Sequence, residues 1–242
     1  VIQNSTIENA REGAFSGRLV RPEDGTKPYF DNDSNGGIIY ATNATFRNNK
    51  RSAAFMTYRN YAVTGSDTTE IKNASYFTNC IFERNDDYPS EEPPFPYVTM
   101  WGVDFVKINK SIFFTNSTTD DPRFLGDGIM THDASFLVTD QGEYDLTDST
   151  SVMATFMNLR TGIFTTNSAS ARNYKVSQCR FEDCFFGIRN NAVDFAQITE
   201  NEFLLGAYSG NPIGNHAVGI INDAVSSLTT LPKVYPTNLW AS

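Results

Sequence analysis

Apolar positions along this chain recur in short alternating segments, and the clearest stretch is Tyr174 to Gly206, where two consecutive copies of one unit place Phe181 and Phe203 22 residues apart. The same unit reads back as Met153-Ala-Thr-Phe156, Asp133-Ala-Ser-Phe136, Asn109-Lys-Ser-Ile112, Asn79-Cys-Ile-Phe82, Asn43-Ala-Thr-Phe46 and Asn4-Ser-Thr-Ile7, eight copies in all. Successive Phe/Ile positions are 39, 36, 30, 24, 20, 25 and 22 residues apart. A floor of about 20–25 residues suits one turn of a β-solenoid, and longer intervals are turns that carry inserted loops. Two residues before the Phe/Ile stand Ser5, Ala44, Cys80, Lys110, Ala134, Ala154, Cys179 and Asn201, mostly small and suited to stacking inside. The residue between is Thr6, Thr45, Ile81, Ser111, Ser135, Thr155, Arg180 or Glu202, mostly polar. Alternation with period two predicts a strand, and no segment shows a helical stripe.

A second strand per turn is predicted at Gly37-Ile-Ile, Gly128-Ile-Met, Gly162-Ile-Phe, Gly187-Ile-Arg and Gly219-Ile-Ile, each opening on a residue that tolerates a tight corner. Asparagine punctuates the pattern at Asn9, Asn48, Asn49, Asn85, Asn116, Asn158, Asn190, Asn191 and Asn222, as expected where strands end in left-handed bends. The fold predicted is all-β, a parallel β-solenoid of about eight or more turns over residues 1–227, with loop insertions in the first half. Residues 228–242 leave the repeat, carry two prolines, and read as a linker or the start of a following segment. The start at Val1, already in a strand pattern, reads as a processed or excised piece.

The N-x-x-F and Gly-Ile strands, with FEDCFFGIRNN and ITENEF as their most typical phrases, resemble the right-handed parallel β-helix of pectin-lyase-like proteins. Gly36-Gly-Ile-Ile, Phe46-Arg-Asn-Asn, Phe82-Glu-Arg-Asn and Phe113-Phe-Thr-Asn are also similar to the GGxI and FxxN repeats of polymorphic outer-membrane adhesins. The resemblance covers about residues 1–225 and implies right-handed coiling and a secreted or cell-surface bacterial protein. It implies architecture far more than chemistry.

Composition narrows the partners. A net charge of −9, with no Lys/Arg cluster interleaved with aromatics, argues against nucleic acid, and no apolar run approaches the ~20 residues of a membrane span. Three cysteines make an odd count for a disulfide framework; Cys80 and Cys179 fall in the small inner column and read as core, with Cys184 the only local partner for a bridge to Cys179. Six N-x-S/T triplets, at Asn4, Asn32, Asn43, Asn73, Asn109 and Asn116, follow from the repeat's own use of Asn, Ser and Thr.

Chemistry is expected in the insertions Gly17 to Asn35, Thr57 to Lys72 and Asp86 to Tyr97, which would line one groove if they leave equivalent corners. Aromatics there and nearby, including Tyr58, Tyr61, Tyr88 and Trp101, either pin the loops to the wall or offer stacking faces to a glycan. Asp31, Asp33 and Asn35 match the opening of a calcium loop, but Thr42 stands at the twelfth position in place of the bidentate Glu; an Asx-rich turn is the other reading. The densest ionisable set is Asp104, Lys107, Asp127, His132 and Asp133, where the Gly102 and Gly128 strands would lie on adjacent turns. The chain lacks the N-T-D, D-D, G-H-G and R-I-K set of polygalacturonases and the R-x-P-x-x-R of pectate lyases, and its two histidines give little support to Ser-His-Asp chemistry or His-based metal sites. The function expected is a non-enzymatic scaffold or adhesive segment of a larger secreted or surface-attached protein that contacts polysaccharide or surface glycan and adjoins other domains of its parent. No cofactor beyond that candidate calcium is implied. The alternative is a polysaccharide lyase or glycoside hydrolase with a diverged site.

Overall fold

The computed structural model of the chain describes residues 1–17, 19–20, 29–30, 37–55, 61–64, 67–70, 75–85, 94–117, 122–140, 153–168, 172–193, 195–204, 218–223, 233–234 and 239–241. Its strands form a right-handed parallel β-helix of three long sheets, with eight, eight and seven strands. Each turn contributes one strand to each sheet in order, as in Tyr40–Thr42, Thr45–Arg47 and Arg51–Phe55 for the second turn. Within these sheets the strands pair in parallel with the equivalent strands of adjoining turns, as Thr45–Arg47 does with Thr6–Glu8 and Ile81–Asn85. Two antiparallel pairs, Leu19–Val20 with Tyr29–Phe30 and Tyr61–Thr64 with Asp67–Glu70, lie between third-sheet and first-sheet strands in the first two intervals.

The expected phenylalanine column belongs to the second sheet. Phe46, Phe82, Phe113, Phe156, Phe181 and Phe203 are all buried and stack nearly parallel, with successive ring centroids 4.9, 4.4, 4.8, 4.9 and 4.9 Å apart. Two assignments shift. Ile112 pairs with Ile81 and Thr155 on the outward column, so Phe113 is the third ring and Ser111 the small inner residue. Phe136 belongs to the first sheet, where it pairs with Val106 and Tyr174; residues 140–153 then separate its strand from Ala154–Met157. That interval makes one turn look like two, and it adds an insertion in the second half of the chain.

The first sheet, with strands such as Tyr76–Thr78, Val106–Asn109 and Asn173–Ser177, supplies a third strand per turn that the sequence pattern did not separate. Gly37-Ile-Ile is not a third-sheet strand; it leads into the first-sheet strand Tyr40–Thr42. The glycines at 128, 162 and 187 do not turn corners, since none has a positive φ. They make room: a Cβ on Gly162 would lie 2.7 Å from the Gly187 carbonyl oxygen and 2.7 Å from the Phe181 ring, and Gly128 and Gly187 meet the same obstacles one turn before and after. The glycine column exists because the phenylalanine column packs against it.

Left-handed residues do mark the corners. Between the first and second sheets stand Asn4, Asn43 and Asn79, with Asn43 Nδ2 donating to Asn4 Oδ1 (3.2 Å) and Asn79 Nδ2 to Asn43 Oδ1 (2.8 Å). Later turns put Lys110, Gln178 and Glu200 in the same conformation, so the backbone bend, stabilised by ladder bonds on both sides, overrides the asparagine preference. Asn9, Asn48 and Asn158 bend between the second and third sheets, whereas Asn85, Asn116, Asn190, Asn191 and Asn222 lie within strands. Beyond residue 227, Lys233–Val234 and Leu239–Ala241 add in register to the first and second sheets, placing Trp240 opposite Phe203. The ladder therefore runs into residues that the hydrophobic pattern alone leaves outside it.

Candidate functional site

Of the ionisable residues singled out in the sequence, Lys107 lies on the first-sheet strand Val106–Asn109, and the other four fall into two separate places. One is the corner between the third and first sheets. There, Asp104 is only 2 % exposed, accepts a hydrogen bond from Ser135 Oγ (2.8 Å), and is ion-paired with Arg172. These three residues come from the same corner of three successive turns. Asp133 at that corner is left-handed and accepts from the Ser168 backbone N–H (2.7 Å) and hydroxyl. His132 Nε2 lies 3.3 Å from the same Asp133 carboxylate. Serine and histidine thus share one carboxylate oxygen, Oδ2, and the imidazole does not stand between the hydroxyl and the acid as nucleophile activation requires.

The other place is the opposite end of the strand Asp127–His132, roughly 17 Å away at the rise of an extended strand. Asp127 is 1 % exposed and is gripped by Arg160 through Nε (2.9 Å) and Nη2, a contact that raises the arginine's pKa. Paired carboxyl groups that cleave a glycosidic bond stand within about 10 Å of each other. Asp104 and Asp127 do not meet that requirement, and each holds a guanidinium. Arginine from a later turn was the partner the sequence did not reveal. Its signal is register: Arg160 opens the turn whose strand pairs Thr161 with Asp127.

Thiol chemistry finds no group either. Cys80, Cys179 and Cys184 are free and buried, so Cys179 and Cys184 form no bridge. Burial pushes the Cys184 thiol up to about 12 and raises Cys80 and Cys179 in the same direction. Among the described residues no group of three or more His, Cys, Asp or Glu could hold a metal ion. Asp31, Asp33 and Asn35 lie outside the described residues, as do Tyr58 and Tyr88. Tyr61 opens one of the antiparallel strands. No helix of the described residues is long and apolar enough to cross a membrane.

What the corner does present is aromatic surface. Trp101 is 46 % exposed and lies against the His132 ring at 4.3 Å, and Phe105, which the sequence analysis passed over, is 40 % exposed. Between them Gly102 and Phe105 both adopt left-handed backbone, a strained state for phenylalanine, and the Phe105 N–H donates to the Ser135 carbonyl (2.8 Å). Asp104, anchored by Ser135 and Arg172, is the buried post of this exposed turn. Past Phe105 an open groove of about 530 Å³ runs over the first sheet, lined by Phe105, Lys107, Leu137, Tyr174, Lys175 and Gln197. A second depression of about 410 Å³ beside the second sheet is polar; within it Arg47 pairs with both Glu83 and Glu8, and Arg84 donates to the Lys50 and Phe95 carbonyls.

Neither a family model, nor a curated protein, nor a solved structure matches the chain.

Proposed function

We propose that the chain is a non-catalytic scaffold and adhesive segment of a larger secreted or surface-attached bacterial protein, and that it contacts glycans. The observation that carries this reading is the fate of the two buried acids. Asp104 and Asp127 each brace an arginine from a later turn, so neither is placed to exchange protons with a substrate. The remaining patterned residues build ladders and corners. Exposed Trp101 and Phe105 offer flat apolar faces of the kind on which sugar rings stack, on a rigid frame that fixes their spacing.

The test is to incubate the purified chain with a panel of acidic and neutral polysaccharides, with and without calcium, measuring retention in affinity electrophoresis alongside new reducing ends and unsaturated uronate products. Retention without product is expected. Unsaturated product would establish a lyase, reducing ends alone a hydrolase, and either would overturn the non-catalytic reading; no retention on any glycan would overturn the adhesive one.

A further inference from the structure

The three sheets differ in charge. The strands of the second sheet carry Glu8, Glu83, Glu182 and Glu202 nearly balanced by Arg47, Arg84 and Arg180, and those of the third carry Glu12, Asp127 and Asp223 against Arg51 and Arg189. The eight strands of the first sheet contain no aspartate or glutamate, in a chain with 28 acidic residues and a net charge of −9. That sheet also holds three of the chain's seven lysines, all in one register column. The column runs Tyr40, Tyr76, Lys107, Leu137, Lys175, Gln197, Lys233 from turn to turn along the solenoid axis.

Burial alternation shows that the column faces outward from Tyr40 to Gln197, because the flanking residues Val106 and Ile108, Phe136 and Val138, and Tyr174 and Val176 are all buried. Tyr40 and Tyr76 stack at 4.7 Å at one end of it. Lys107, Leu137, Lys175 and Gln197 line the groove that begins at Phe105. Strands in a sheet are 4.7–4.9 Å apart, so Lys107 and Lys175, two strands apart, stand about 10 Å from each other, with Lys233 two register positions further on.

We propose that this face binds a linear acidic polysaccharide lying along the solenoid axis, with one anionic sugar in every two. The inference rests on the glycan-contacting reading above and adds to it the face, the charge and the charge spacing of the ligand. Alternate lysines suit an anionic group on alternate sugars, and Leu137 between them, with Phe105 and the Tyr40–Tyr76 stack, offers apolar surface to the intervening rings. Nucleic acid fits poorly, because duplex DNA carries a charge every ~1.7 Å, far denser than one lysine per ~10 Å, and the chain as a whole carries a net charge of −9.

Binding of hyaluronan oligosaccharides, in which alternate sugars carry a carboxylate, tests the proposal against dextran, polyglutamate and single-stranded DNA by isothermal calorimetry at low and moderate salt. The expected result is salt-sensitive binding of hyaluronan in preference to all three, weakened about ten-fold in Lys107→Gln/Lys175→Gln and unchanged in Lys110→Gln, whose lysine lies at a corner outside the column. Gln197→Glu, which introduces a carboxylate at an exposed position of the same column, weakens binding independently; unchanged far-UV spectra and melting temperatures identify folded variants. Hyaluronan binding that both the double variant and Gln197→Glu leave intact would overturn the proposed face while leaving the glycan reading standing. Equal binding of polyglutamate or DNA would overturn the ligand class, and failure to bind any glycan would overturn both readings.

Discussion

Gly162→Ala separates two explanations of the glycine column. Gly162 has no positive φ, so if the residue served only chain flexibility, alanine would stabilise the protein by about 0.4–1 kcal/mol through a less disordered unfolded state. The structure predicts the opposite sign. The added Cβ meets the Gly187 carbonyl oxygen and the Phe181 ring at 2.7 Å each. Neither yields easily: the carbonyl belongs to the neighbouring strand's backbone, and the ring is held between Phe156 and Phe203, 4.9 Å away on either side. Overpacking of this kind costs about 1–3 kcal/mol, which, less the unfolded-state gain, leaves a net loss centred on ~1.3 kcal/mol, or roughly 3–5 °C in Tm for a chain of this size. The assay is urea denaturation followed by circular dichroism, with Phe181→Leu and the double variant completing a cycle. The smaller side chain should relieve the clash, giving a coupling of more than about 0.5 kcal/mol. A Gly162→Ala protein as stable as the parent, or strictly additive effects, would refute the close-packing account.

Phe181→Ala removes a ring stacked on both sides and should cost about 3–5 kcal/mol, while Phe181→Asp should prevent folding of the central turns; a parental melt for either would contradict the inward assignment. Asp104→Ala strips Ser135 and Arg172 of their shared acceptor and should lower stability by about 1–3 kcal/mol, with Asp104→Asn milder because Ser135 keeps a partner, as thermal melts would show. The three thiols should be silent to Ellman's reagent at pH 8 until denaturant is added, then titrate as three; reaction in the native state would place one outside the core. Because burial raises the Cys184 pKa from 9.0 to about 12, the unfolded chain loses that proton first. The stability this thiol contributes is whole below pH 9, falls by about 1.4 kcal/mol at pH 10, and continues to fall towards pH 12, which urea midpoints of the parent and Cys184→Ala can compare.

The second sheet was legible because its inward residue is a large ring in six turns and its flanks are small and polar, a contrast that survives any loop length. The first sheet was not, because its inward residues vary from Ala41 through Phe77 and Ile108 to Val176, and its strands follow the third sheet after intervals that insertions make irregular. Phe136 was drawn into the wrong column for that reason: Asp133-Ala-Ser-Phe136 has the local spelling of a second-sheet unit, and only pairing with Val106 and Tyr174 separates it. The candidate site was legible in part. Trp101, His132 and Asp133 do come together, and Asp104 is at the same corner, but ion pairing to residues 33 and 68 positions away is a matter of register that local spacing does not encode.

The six stacked rings of the second sheet also set how a local defect is felt. Each inner ring leans on the turn before and the turn after, so a fault at Phe113 or Phe156 cuts two contacts and leaves two shorter stacks, where a fault at Phe46 trims one end of the series. Amide hydrogen exchange should therefore be slowest around Phe113 and Phe156 and quicken toward both ends of the stack. A lesion at Gly162 should raise exchange on both sides of it, while turns several places away keep their protection.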